Sequence, residues 1–338
     1  MPERQGRYTL LLPSRPSVTG TAAIVGKKEG EGPLANDFDK ILEDEFAGEK
    51  TFEKAESKLQ TMAASLALEK AGLTHSAIDC IFAGDLLNQC IGSSFGMRDS
   101  DTPFAGLYGA CSTMSLSLAL SAMLIDSRVM NSCIACTSSH FCSAERQYRL
   151  PLEYGGQRTP TSQWTVTGAG AAIVRNVPSA PVHIDAAIIG RIRDLKITDP
   201  NNMGAAMAPA AAQTIASFLG DTNTSPADYD LILTGDLGKT GTELLHMLML
   251  SENNIDISGV HNDCGLMIYD MENQDVHAGG SGCGCSAVVV CSHIINRIGR
   301  KELQKVLFIG TGALLSPTST LQGESVPGIA HGVLLTSE

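Results

Sequence analysis

The pattern of the first half of the chain returns, in the same order, in the second. Ala22-Ala23-Ile24-Val25-Gly26 reappears as Ala186-Ala187-Ile188-Ile189-Gly190, and Ile81-Phe82-Ala83-Gly84-Asp85-Leu86 as Ile232-Leu233-Thr234-Gly235-Asp236-Leu237. The apolar stretch that follows Cys111 has a counterpart from Cys283 to Ile295, behind Gly280-Ser281-Gly282. Ala135-Cys136-Thr137-Ser138-Ser139 corresponds to Ile309-Gly310-Thr311-Gly312-Ala313, and Gly170-Ala171-Ala172-Ile173-Val174 to His331-Gly332-Val333-Leu334-Leu335. Short apolar strands resemble one another, so no single match is significant. Five in one order, separated by helical segments, mark a duplication. Strands alternating with helices imply mixed sheets covered by helices, an α/β fold. The halves are expected to be residues 1–178 and 179–338, joined near Asn176-Val177-Pro178-Ser179-Ala180-Pro181.

Within the first half, Gly109-Ala110-Cys111-Ser112-Thr113 runs into an unbroken series of small and apolar residues through Met123. Such a helix is apolar all round and belongs inside the protein. Its first N–H groups lack intrahelical partners, and their positive end favours anions and lowers a thiol's pKa. Cys111 is thus placed as a nucleophile or as the floor of an anion pocket; the bland alternative is a small buried thiol. Earlier, Phe52 to Ala71 carries helical spacing and stops at Gly72. Lys27 to Lys50 reads as a polar loop, and His140 to Thr167 as a long irregular segment.

Charged residues make up only 18% of the chain and hydrophobic ones 43%, which describes a packed globular protein. A net charge of −12 argues against nucleic acid, which needs clustered Lys and Arg. No apolar run approaches the roughly 20 residues that span a bilayer, and the first residues lack the apolar core of a signal peptide. A soluble, intracellular protein is expected. Ten cysteines invite a metal or disulfide reading. Cys133-Ile134-Ala135-Cys136, however, lies in a strand-like run, where positions three apart face opposite ways. Cys283-Gly284-Cys285 lacks the spacing of a zinc knuckle. No metal site and no cofactor are expected.

The duplicated unit with a cysteine opening a buried helix resembles the thiolase-like superfamily, over nearly the whole chain, with Gly109-Ala110-Cys111-Ser112 matching the nucleophile turn. More specifically, the chain resembles the stage V sporulation protein AD family, thiolase-fold proteins of spore-forming bacteria. Gly84-Asp85-Leu86-Leu87-Asn88-Gln89, Glu153-Tyr154-Gly155-Gly156-Gln157, Ala206-Met207-Ala208-Pro209, His261-Asn262-Asp263-Cys264-Gly265 and Thr311-Gly312-Ala313-Leu314-Leu315 carry this likeness. The resemblance implies two halves with mixed five-stranded sheets around two central helices. It also implies binding of pyridine-2,6-dicarboxylate (dipicolinate) and its movement into the developing spore with membrane-embedded partners, a peripheral place at the spore inner membrane, and a homodimer. The alternative it leaves open is a thiolase-like acyltransferase using Cys111 on an acyl thioester.

Acyl transfer needs partners for the thiol. Where ketoacyl synthases carry a His at the end of the second-half strand, this chain reads Leu233-Thr234-Gly235-Asp236-Leu237, and an ionised aspartate only accepts hydrogen bonds. Phe308 stands near the position of the second thiolase cysteine, and His277 is the one candidate for the thiolase histidine, without its Pro. The site is therefore expected to be degenerate. Binding of a dicarboxylate wants N–H groups, hydroxyls and cations around a flat apolar wall. The candidates are Cys111 and Ser112 at the helix start, His140 at a strand end, Asp236 at the same mouth, His261 and Asp263 in a Gly-bounded turn, and Gly280 with Ser281. Arg146, Arg149 and Arg158 read either as an anion-attracting lid or, preferred, as a dimer contact.

Overall fold

The structure is a computed structural model that describes residues 1–148 and 158–338. The first half contributes strands β1 (Ser17–Val25), β2 (Cys80–Gly84), β3 (Phe104–Gly106), β4 (Ser132–Ser139) and β5 (Gly168–Arg175). The second contributes β6 (Val182–Ile188), β7 (Leu231–Thr234), β8 (His261–Asp263), β9 (Lys305–Ala313) and β10 (Gly328–Ser337). Their spatial order is β3-β2-β4-β5-β1 in one half and β8-β7-β9-β10-β6 in the other, the same order read from chain position. Directions match as well. In each half the three outer strands run parallel and the last two pairings are antiparallel. The two sheets touch through one antiparallel pair, Ser17 with His183. An N-terminal hairpin, Glu3–Gln5 with Thr9–Leu11, lies along β6.

Alternation along the strands sorts the side chains into three layers of core. On the inner faces, Ala23, Phe82, Ala135 and Val174 of the first sheet join Ile184, Leu233, Phe308 and Val333 of the second. Between them lie helix α2 (Thr113–Asp126) and its counterpart, Cys283–Val289, which continues through a π-turn to Gly299. The serines that α2 carries into this core spend their hydroxyls on its own backbone, Ser115 on Ser112 O and Ser117 on Thr113 O, which is how a buried helix tolerates them. Outside, helix α1 (Phe52–Lys70) covers Ile24, Ile81, Ile134 and Ile173. Met203–Thr222 and Gly238–Asn253 cover Ile188, Ile232 and Leu307. Cys133 belongs to the inner core and Cys136 to the outer one, on opposite faces of β4. All ten cysteines are free.

The segment read as irregular from His140 to Thr167 contains more order than that. Phe141–Tyr148 is a helix, and Trp164–Thr165 forms a short parallel ribbon with Gly280–Ser281. The Gly-rich turn before Cys283 approaches protein: a Cβ on Gly282, whose φ is +101°, would stand 2.6 Å from Ser139 Oγ. Among the described residues no helix is long and apolar enough to cross a membrane.

Candidate functional site

Cys111 sits in a turn, one residue before the Ser112 cap of α2. Ala110 holds a left-handed φ of 48°, a strained conformation for a non-glycine residue that presents the next side chain sharply. The turn is clamped by its own polar groups: Ser112 Oγ donates to Gly109 O at 2.6 Å and Thr113 Oγ1 to Ala110 O at 2.6 Å. The N–H groups of Ser112 and Thr113 point back to Gly109 O and Ala110 O. The helix start therefore satisfies itself and offers an anion little.

Against the thiol stands Asp236, fully buried just beyond β7. Its carboxylate accepts from Thr311 Oγ1 at 2.8 Å, from Gly282 N at 2.9 Å and from Ser281 Oγ at 3.2 Å, and its charge acts on the neighbouring Cys111 thiol. Gln163 Nε2 donates to Asp236 O and Gly280 O, both at 2.7 Å, tying strand end to ribbon. Burial pushes Asp236 up to about 6 against the pull of these bonds. The same burial, reinforced by the Asp236 carboxylate, pushes the Cys111 thiol well above its ordinary value. The expected lowering by the helix end is overridden, because desolvation and a neighbouring negative charge both oppose a thiolate.

A cavity of about 40 Å³ opens from this pair, walled by Leu86, Tyr108, Tyr148, Thr165, Ser281 and Leu315. Tyr108 is half exposed at the mouth. Its hydroxyl lies 3.2 Å from that of Tyr148, which donates to Leu86 O.

The remaining candidates lie elsewhere. His140 is buried under Phe52, with Nδ1 accepting from Cys142 N at 3.2 Å and Nε2 bonded to Glu45 O at 2.7 Å; burial lowers its pKa. Asp263 accepts from Leu237 N, Gly238 N and Gly265 N at 2.8–3.0 Å, and from Thr234 Oγ1 at 2.6 Å, so it caps two helix starts. His261 bridges Thr234 Oγ1 at 2.9 Å and His246 Nε2 at 3.0 Å, held neutral with its pKa near 3 by burial. Both support the turn around the site without lining the cavity. Gly280 is fixed by packing, since a Cβ there would meet Ile268 Cγ2 at 2.8 Å. His277 Nε2 lies 3.2 Å from Asp275 Oδ1, and Arg146 forms an ion pair with Glu53 at 2.9 Å. Arg149 lies outside the described residues.

The family profile described as Stage V sporulation protein AD (SpoVAD) matches residues 6–336. This chain belongs to the stage V sporulation protein AD family. Its relative of that name in Bacillus subtilis (strain 168) is 46% identical over 315 residues, 93% of this chain and 92% of the relative. Among solved structures, 3-oxoacyl-(acyl-carrier-protein) synthase III from Aquifex aeolicus VF5 aligns with a TM-score of 0.55 at 13% identity, over 95% of this chain and 99% of that one. A single-substitution variant of OleA from Xanthomonas campestris aligns with a TM-score of 0.59 at 14% identity, over 95% of this chain and 98% of that one. These likenesses establish the thiolase-like fold. The chain is a sporulation protein on that scaffold.

Sequence reading of this family member missed three parts of the site. His331, on β10, brings Nε2 near the Gly109 turn while Nδ1 accepts from Gly190 N at 3.1 Å; burial lowers its pKa to about 4. A lone histidine in a strand of small and apolar residues, at the repeat position of Gly170, was its signal. Thr311 and the Tyr108–Tyr148 pair have no comparable signature.

Proposed function

We propose that this SpoVAD family member is a binding protein on an enzyme scaffold, taking dipicolinate at the mouth of the Cys111 cavity and supporting its uptake into the developing spore without covalent chemistry. The Cys111–Asp236 pair carries this reading. Covalent catalysis needs a thiolate and a base that makes it. Here the group on the thiol is a carboxylate titrating near 6, far below the thiol, so at neutral pH the proton stays on sulfur. An ionised Asp236 has no hydrogen to give an oxyanion. His331, the histidine facing the Cys111 turn, accepts from Gly190 N through Nδ1, which leaves its proton on Nε2 and that nitrogen unable to take a proton from the thiol.

Membership in a sporulation family supports the ligand, as do the tyrosine rings and hydroxyls at the mouth. The cavity itself has room for about three waters, and the Tyr108 and Tyr148 hydroxyls close on each other at 3.2 Å, so the ligand ring belongs over the mouth, outside the tyrosine pair. Membrane-embedded partners would hold the protein at the spore inner membrane. Calorimetric titration tests the reading: saturable binding that prefers dipicolinate to phthalate, about tenfold weaker in Tyr148→Ala and within about threefold of wild type in Cys111→Ser. Absence of heat refutes it. A stable acyl adduct on Cys111 after incubation with acyl-CoA, seen by mass spectrometry, would install the acyltransferase reading in its place.

Pairing of two copies belongs to the same proposal. Strand β3 ends the sheet with an edge unpaired among the described residues, and Phe104 on it and Phe95 on the helix Ile91–Met97 (38% and 60% exposed) are an arrangement that invites a second chain. Light scattering should give twice the 35.6 kDa chain mass, and Phe95→Glu should return it to the single-chain value.

A further inference from the structure

The Cys111 cavity leaves a charge problem for any dianionic ligand. Asp236 stands behind its Ser281 wall, and no lysine or arginine lines it among the described residues. Positive charge stands one residue away along the ribbon. Thr165 lines the cavity, and its neighbour Trp164 stacks on Phe141 at 3.8 Å and 8°. Phe141 opens the helix whose Ala144 and Tyr148 also wall the cavity, so the stacked rings stand one residue and one helical turn along the chain from its wall. Lys28 Nζ lies 3.7 Å and Arg158 Cζ 4.8 Å from the centroid of the indole.

Asp275 is the carboxylate paired with this cluster. It is 73% exposed at the surface and paired with Arg158 Nη2 and with His277 Nε2. Lys28 reaches only the Asp275 main-chain oxygen, at 3.1 Å. Arg158 Nη1 is buried and has no acceptor. A buried guanidinium donor left unmade costs free energy, and native proteins rarely keep one without a use. Burial and the repulsion of Arg158 lower the Lys28 pKa against the opposing pull of Asp275, Glu29 and Glu31.

We propose that Lys28, Arg158 and the Trp164 indole form the capture site for an aromatic dicarboxylate, an inference that rests on the ligand class proposed above. One carboxylate takes Arg158 Nη1 together with Lys28 Nζ, which swings off the indole on its flexible stem. The ring then takes the place of the Lys28 ammonium on the indole face away from Phe141. A carboxylate shared by guanidinium and ammonium is a charge-assisted pair, and stacking selects a flat ring over a free anion.

Trp164 is the only tryptophan of the chain, so its fluorescence reads this site alone. The full chain would be excited at the red edge of indole absorption and titrated with pyridine-2,6-dicarboxylate, with calorimetry run in parallel. Saturable quenching is expected, with the midpoint at least tenfold weaker in Lys28→Gln and in Arg158→Gln, and restored to within about threefold in Lys28→Arg. Lys28→Gln alone decides the matter if the arginine variant does not fold. Calorimetric binding without quenching, or binding indifferent to both substitutions, overturns the capture site and leaves the wider reading standing. An equal response to inorganic phosphate overturns the aromatic selectivity. Absence of heat from the wild-type chain removes the wider reading and the capture site together.

Discussion

Asp236→Ala should destabilise the fold by about 3 kcal/mol, whereas Cys111→Ala should cost about 1 kcal/mol. The asymmetry follows from what each leaves behind. Removing the thiol deletes one weak donor and leaves Asp236 with Thr311, Gly282 and Ser281. Removing the carboxylate strands two hydroxyls and the Gly282 N–H in the buried interior. Part of the loss is returned, because the buried charge no longer has to be desolvated. Denaturant midpoints at pH 7 measure both variants. Asp236→Asn adds a chemical readout: without the negative charge the Cys111 thiol pKa should fall, and the residue should alkylate faster than in the wild type in the folded state. An Asp236→Ala variant as stable as wild type would show that the carboxylate is not the hub of the site. Unchanged alkylation in Asp236→Asn would mean that burial alone holds the thiol protonated.

The position of Asp236 was legible from sequence because the repeat is written in strands, and strands carry register. Matching Asp85 with Asp236 put an acid at the end of a central strand in each half, and both ends are occupied as expected. Both are buried carboxylates, one holding Ser93 and Leu87 and the other holding Thr311, Gly282 and Ser281. What sequence could not supply was depth. A helix end and a cysteine predict a lowered thiol pKa in a half-open site; with the thiol sealed beside a carboxylate the sign reverses. Likewise His140 and His261 look like ligands because histidine is chemically versatile, yet each is consumed by partners distant in sequence, Glu45 and His246. The helix Phe141–Tyr148 was missed because eight residues give barely two turns of periodicity, and its aromatic face packs on Trp164 and the cavity rather than on a sheet. Met203–Thr222 hides for a different reason: alanines and Pro209 on a largely buried helix leave no polar face to reveal the period.

The second large effect is on pH dependence. Besides Asp236, four buried carboxyls are raised by desolvation: Glu29 and Asp263 to about 7, Glu56, which also feels Asp85, to about 8, and Asp85 itself above its ordinary value. Glu29 accepts from Tyr269 and from Thr167 N through Oε1, and its Oε2 has no partner, a geometry suited to carrying the proton. A carboxyl raised in the folded state binds its proton more tightly there than in the unfolded chain. Its stabilisation is complete below the unfolded pKa near 4 and is lost as pH rises through the folded value. The buried histidines act oppositely. His261 and His331, lowered to about 3 and 4, favour the unfolded chain below its pKa near 6.5, so stability gains as pH climbs towards that point. Below pH 6.5 the two trends offset one another. Above it the histidines are neutral in both states, and the proton uptake that favours the fold comes from Glu29, Asp263 and Glu56. Stability should therefore fall between pH 6.5 and 8.5, each group adding a slope of up to about 1.4 kcal/mol per pH unit. Urea midpoints at several pH values across this window would record it. Glu56→Gln keeps an acceptor for Ser143, which donates to Glu56 at 2.6 Å, and removes the group that titrates highest. It should flatten the upper part of the decline while leaving the lower part in place. A profile flat from pH 6.5 to 8.5 would mean that these carboxyls ionise in the folded interior as readily as in the open chain, and the same finding would undercut the protonated thiol at Cys111, since both follow from the dryness of one core.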